Sequence, residues 1–457
     1  MSSLGSLLNT ALTSLQANQV GLSVVSNNIA NVNTPGFSRQ RVLMREGPVV
    51  GGHIPVGSGV EVFGTEAFRD QLIERRLWNE TSSKSAGDLT HQSLSDIEMV
   101  FNESGNTGLL PLISSFFNSF QKLSANPSST DLRQQVTTSA ASLTQYINAR
   151  ASDLQNMKTA IDHSINDDVS KANTLIDQIA VIAKRIHETE TAEQPANDLR
   201  DQRTSLVKKL SEIMNVKELD SNGSYQLTAG NNRPLVIDGT VIHLDLSTSS
   251  SGLTAVLSGS SDVTSEFTSG TLAARVALRD QSIPQYQQSL NQIAFDLANQ
   301  VNQVHSASFD QDGNTLINFF TPVTSLAGAA FNLAVNPAVA ADSRKVAASS
   351  QANGSGNEAA IALGNLVNVP NAPRGTIVEQ FSSLVYQIGS DTANADADTR
   401  QHGSMLTQLE NLRASVSGVS IDEETASILQ FQRAFQASAR IISVVDELLQ
   451  TTLSMGA

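Results

Sequence analysis

The sequence predicts a mainly α protein with a β-rich insert, laid out as an elongated multidomain rod. Three observations carry that expectation: apolar residues recur every seven positions at both ends, the middle runs for long stretches at helical period, and near residue 216 the period falls to two. The division they imply is residues 1–62 with 414–457 as a paired terminal helical domain with a β connector, 63–215 with 269–413 as a long-helix middle domain, and 216–268 as an outer β-rich insert.

The first helix is read from Leu8, Leu15, Leu22 and Ile29, spaced by seven, with Leu4, Ala11, Asn18 and Val25 interleaved. A seam this narrow needs a partner helix, and Asn18 inside it is expected to set register. No charged side chain precedes Arg39. Thr34 before Pro35 is pushed out of the helical region, and Pro35-Gly36 suits the centre of a type II turn, so Thr34, Pro35, Gly36 and Phe37 are expected to turn the chain. Gln40 to Leu43 and Val60 to Phe63 then read as a loosely paired β connector.

Periodic stretches from about Phe68 to Val100, Leu109 to Ser124, Asp131 to His187 and Asn197 to Met214 predict long helices, with Asn126-Pro127 as a break. Leu235 to Leu244 predicts a hairpin whose Asp238-Gly239 fits a type I′ turn. Helix resumes from about Leu272 to His305; a mixed patch reaches Pro373, and a last core helix spans about Ile377 to Val416. At the C-terminus, Ser420 to Glu423 has the form of a capping box. Beyond it Ile421, Ile428, Phe435, Ile442 and Leu449 recur every seven residues, flanked by Phe431, Val445, Ile441 and Leu448. Two narrow seams at opposite ends imply that the termini meet, and that neighbouring copies complete their ordering.

Composition excludes more than it selects. With 29 Lys+Arg against 44 Asp+Glu the net charge is −15, which offers no footprint for nucleic acid or anionic lipid. The absence of cysteine removes disulfides, thiolate metal sites and cysteine nucleophiles. No apolar run is long enough for a membrane helix, and the N-terminus lacks the form of a cleavable signal. The seven histidines are scattered and read as solvated. Asp310 to Asn314 imitates the start of a calcium loop, but Thr315 and Thr321 stand where glycine and glutamate are needed, so a polar turn is expected. Arg75-Arg76 beside Trp78 reads as a small contact patch or a solvated face, and Asp391 to Asp398 as a solvated face. No phosphate loop, dinucleotide fingerprint or nucleophile elbow occurs, so no enzyme and no cofactor or metal is expected.

Val24-Val25-Ser26-Asn27-Asn28-Ile29-Ala30-Asn31-Val32-Asn33-Thr34-Pro35-Gly36-Phe37 resembles the N-terminal motif of bacterial flagellar rod, hook and hook-associated proteins. Ser38-Arg39-Gln40, Asn106-Thr107-Gly108-Leu109 with Phe116-Phe117-Asn118, Asn126-Pro127, Asn197 to Arg203, Gly418 to Glu424 and Phe435 to Arg440 narrow the resemblance to the hook-associated proteins of the hook-filament junction. It spans nearly the whole chain. The resemblance implies a structural protein exported by the flagellar type III apparatus without a cleaved signal. Its terminal helices would lie in the inner axial wall and its β insert would face outward. Implied partners are further copies in a ring, the flagellar hook protein, a second hook-associated junction protein and an export chaperone. The residues expected to carry assembly are Leu4, Leu8, Ala11, Leu15, Leu22, Val25 and Ile29 with Ile421, Ile428, Phe431, Phe435, Ile442, Val445 and Leu449. A hook or distal rod protein, or a secreted flagellum-associated enzyme, remains the alternative.

Overall fold

The computed structural model describes residues 2–50, 56–102, 108–192, 195–221, 224–250, 252–352 and 354–455. Asn106 and Thr107 of the resemblance lie outside them. Helix α1 (Ser2–Ala30) leads into β1 (Gln40–Glu46), the short pair β2 (Val49–Val50) and β3 (Val56–Gly57), and β4 (Val60–Ala67). Strands β1 and β4 pair antiparallel from Gln40 opposite Ala67 to Glu46 opposite Val60, so the connector is one hairpin and longer than the sequence suggested.

The middle of the molecule is a stack of long helices. Helix α2 (Gln71–Val100) starts where the Asp70 carboxylate accepts from the Leu72 and Ile73 amides. Helix α3 (Leu109–Ala125) stops at Asn126-Pro127, and Ser129 caps α4 (Thr130–Thr191), which at 62 residues is roughly 93 Å long. Helix α5 (Asn197–Ile213) returns alongside α4. The insert follows as a four-stranded antiparallel sheet, β5 (Val216–Ser221), β6 (Ser224–Ala229), β7 (Arg233–Ile237) and β8 (Thr240–Val241). A three-stranded sheet completes it, from β9 (Leu244–Thr248), β10 (Thr254–Ser258) and β11 (Ser261–Asp262). Asp238 and Gly239 both have positive φ, 48° and 82°, as the type I′ hairpin requires.

Helices α6 (Gly270–Ala277) and α7 (Ile283–Ser306) run on through one π turn, and the short helices α8 (Ala329–Asn332), α9 (Pro337–Ala341) and α10 (Glu358–Asn365) punctuate the mixed patch. Helix α11 (Ile377–Ser417) opens with a full capping box, Thr376 and Glu379, that the sequence reading missed. It packs antiparallel on α2: Gly87 comes so close to Thr399 that an added Cβ would lie 2.8 Å from its hydroxyl. Helix α12 (Ile421–Met455) ends the chain.

Two apolar cores result. One gathers α3, α4, α7, α10 and α11 around Phe116, Phe117, Phe120, Phe319 and Phe320. In the other, Trp78 and the distal parts of α4 and α5 pack against the inner faces of the sheets, so the insert shares its core with the helices that carry it. Neither core takes a residue from α1, the hairpin or α12.

Two expectations about polar residues change. His305 is 1% exposed instead of solvated, because the last turn of α7 faces the phenylalanine cluster. Its Nδ1 bonds the Ile317 carbonyl at 2.7 Å, its Nε2 accepts from the Ala347 amide at 2.9 Å, and burial pulls its pKa down to about 4. Trp78 is buried in the second core, while Arg75 and Arg76 are exposed. Asp310 is a polar turn as expected: its Oδ1 accepts from the amides of Asp312 and Asn314.

Candidate assembly surface and its joint

Helices α1 and α12 lie antiparallel, and their register is written in three contacts. The hydroxyls of Ser14 and Ser438 are 2.9 Å apart, Gly21 sits under the Phe431 ring, and the Asn28 amide donates to Glu424 Oε2 at 3.0 Å. Seven residues forward on α1 match seven back on α12. A Cβ at Gly21 would stand 2.7 Å from ring carbons of Phe431, so glycine is required there for close approach.

On α1 this register lies one position from the seam read from the sequence; on α12 it lies three positions on, along a line that includes the expected Phe431 and Val445. Ala11 and Val25 are buried as expected, and Leu4 is half-buried, but Leu8, Leu15, Leu22 and Ile29 flank the contact, half-buried, while Ser14, Gly21 and Asn28 face α12. On α12 the central line is Glu424, Phe431, Ser438 and Val445; Ile428, Phe435, Ile442 and Leu449 flank it, also half-buried. Ile421 stands off the pair, 54% exposed, in the first turn of its helix. On α1 small side chains take the centre because Phe431 and Glu424 of α12 need the room opposite them, leaving leucines to wrap the edges. Asn18 does not set the register: its amide donates to Ser14 within its own helix.

Beside its contact line the pair carries apolar groups that remain open among the described residues. Leu7 and Leu12 on α1, and Ile441, Val444 and Leu448 on α12, are about half exposed. Ile441, Val444 and Leu448 stand three and four residues apart and so form one stripe.

The turn after α1 has the expected geometry. The Phe37 amide donates to the Thr34 carbonyl at 3.2 Å, with Pro35 and Gly36 between them and Gly36 at φ +85°. Nothing lies within 4 Å of a Cβ at Gly36, so conformation alone demands glycine. Thr34 and Pro35 are exposed, and the Gly36 carbonyl accepts from Arg413 of α11 at 3.0 Å.

From the turn onward, the contacts that hold the pair to the middle are polar. Arg39 bridges Glu423 and Glu424, each at 2.6 Å, and its amide donates to the Ser417 carbonyl. Glu423 therefore serves Arg39 instead of reaching back to its own helix start, and only the Ser420 half of the expected capping box remains, at 3.5 Å. Asn28 and the Gln40 backbone bond each other in both directions, Gln40 donates to Asp198, and Asp201 holds both Ser38 and Arg69. Burial draws the Arg69 guanidinium below its usual pKa, against the pull of Asp201. Arg39 and Glu423 are 384 residues apart in the chain, and no local pattern signals such partners. A groove of about 530 Å³ opens between the turn and α5, lined by Pro35, Phe37, Asp198, Gln202 and Leu206 among others.

Among the described residues no group of three His, Asp or Glu could hold a metal ion, and no helix is long and apolar enough to cross a membrane.

Residues 94–320 match the family model described as the flagellar hook-associated protein FlgK helical domain. Residues 8–37 match the flagella basal body rod protein model, and 413–455 the C-terminal model of the flagellar basal body rod FlgEFG proteins. Flagellar hook-associated protein 1 of Bacillus subtilis (strain 168) is 26% identical over 501 residues, covering 98% of this chain and 97% of the relative. The protein of the same name from Escherichia coli (strain K12) is 24% identical over 547 residues, covering 99% and 100%. The fold is similar to the solved flagellar hook junction protein FlgK from Burkholderia pseudomallei, with a TM-score of 0.67 at 15% identity, over 75% of this chain and all of that one.

Proposed function

Since the chain belongs to the flagellar hook-associated protein 1 family and is a structural component of the bacterial flagellum, we propose that it is the adaptor joining hook to filament, built into a ring by its terminal helices. The observation that carries this is the α1–α12 pair. It is closed along its own register contacts, and on the flank beside them Ile441, Val444 and Leu448 stay about half exposed for a partner. An uncharged α1 supports the same reading, because copies packed side by side along it meet no like-charge repulsion. The residues that act are the seam flanks and the open face, with the Thr34–Phe37 turn aiming the pair. The partners are neighbouring copies, the hook protein on one side and a second hook-associated protein on the other, reached by type III export with a chaperone.

The match of both ends to basal-body rod models favours one alternative, a rod or hook subunit. Immunolabelling of intact flagella with an antibody to residues 216–268 separates the two. A thin band between hook and filament supports the adaptor; label along the hook, or below it, replaces that reading with the alternative.

A further inference from the structure

The block Asn197 to Arg203 stands out in the sequence, and the assembly reading leaves it without a task. In the structure it forms the first two turns of α5 and divides by face. On one face, Asp201 Oδ1 accepts from the Ser38 hydroxyl at 2.7 Å and from Arg69 Nη2 at 2.9 Å, while its Oδ2 accepts from the Ser38 amide at 3.0 Å. Beside it Asp198 accepts from Gln40 at 2.9 Å, the Asn197 carbonyl accepts from Arg69 at 2.6 Å, and the Asn197 amide donates to the Thr65 carbonyl at 3.1 Å. All these partners belong to the connector between the terminal pair and the middle. On the other face, Arg200 grips Glu190 at the end of α4 and Asp220 of β5. Arg203 pairs with Asp220 and Glu218 and lies over the Tyr225 ring at 4.1 Å. These partners belong to the end of α4 and the outer insert.

We infer that the start of α5 is a two-sided electrostatic latch, in which Asp201 fixes the direction of the terminal helix pair and Arg200 with Arg203 fixes the insert. Three facts make Asp201 the key. Among the described residues it is the one carboxylate that gathers both ends of the connector, Ser38 before the hairpin and Arg69 after it. Its ion pair is largely shielded, with side chains 17% and 12% exposed, so solvent does not readily replace it. Among the described residues no apolar core spans the joint to hold it in its absence. Asp201 is a positioning residue: losing it frees the direction of the pair while the middle keeps its packing.

The chain has no cysteine, so spin labels can be placed at Gln432→Cys on α12 and Lys209→Cys on α5, both exposed. In the full-length monomer the distance distribution between them should be narrow. Asp201→Ala should broaden it at least about two-fold with the main thermal transition unmoved, and Asp201→Asn, which still accepts from Ser38, should lie between. Arg200→Ala should leave that width unchanged and speed amide exchange in Val216–Ser221. Should Asp201→Ala fail to fold, Arg69→Gln, which removes the ion pair to Asp201, should broaden the distribution in the same way. The inference is overturned by an Asp201→Ala distribution as narrow as wild type, by a wild-type distribution already as broad as the variant's, or by Arg200→Ala broadening it equally. A fall in the main transition with Asp201→Asn would make the residue part of the core and overturn it too.

Discussion

Gly21 and Gly36 are both indispensable, for opposite reasons. At Gly21 a side chain has no room; at Gly36 it has room, but the backbone sits at φ +85°. Gly36→Val should therefore strain the turn by about 1 kcal/mol or more and misdirect the pair. Gly36→Asn should be milder, because asparagine tolerates the left-handed region. Swimming and filament attachment in a complemented deletion strain test the order; Val performing as well as Asn would show that the turn is not set by geometry. His305 carries a pH prediction. Its folded pKa of about 4 lies below the ordinary 6.5, so the unfolded chain binds the proton more readily. The stabilisation is whole above about pH 6.5 and fades toward pH 4, by about 3 kcal/mol in all. Urea titrations at several pH values should show that slope in the wild type and lose it in His305→Gln. A slope unchanged by the substitution would assign acid sensitivity to other groups.

At the scale of elements, the pair α1–α12 shares no residue with either apolar core of the middle. Phe435 lies half-buried beside the central line of α12 and belongs to neither core. Phe435→Asp brings a charge to a face that the proposed assembly would desolvate, so filaments should fail to attach while the main melting transition shifts by no more than about 1–2 °C. A large drop would mean that Phe435 supports the middle. The offset of the α1 seam by one position is also a matter of elements. Leucines at seven-residue spacing are the strongest apolar signal, but the large Phe431 and the carboxylate of Glu424 on α12 require Gly21 and Asn28 opposite them.

Across the whole molecule, a joint made of ion pairs and hydrogen bonds should decouple two melting events. Calorimetry of the monomer should give a small low-temperature transition for the terminal pair and a larger one for the helical middle. The first should vanish on removing residues 1–39 and 417–457. A single transition that keeps its shape after that truncation would mean the pair and the middle fold as one. Boundaries of the long helices from Gln71 to Ser417 fall within a few residues of those the sequence predicts, as do the Thr34–Phe37 turn and the Asp238-Gly239 hairpin. Those features rest on local chemistry: period, proline, glycine and caps act within a handful of residues. The register of the pair, the burial of His305, the diversion of Glu423 to Arg39 and the gathering of Ser38 and Arg69 by Asp201 were decided only in three dimensions. Each depends on a polar partner supplied by a distant segment, and polar side chains, unlike apolar ones, carry no periodic mark of the face they will find.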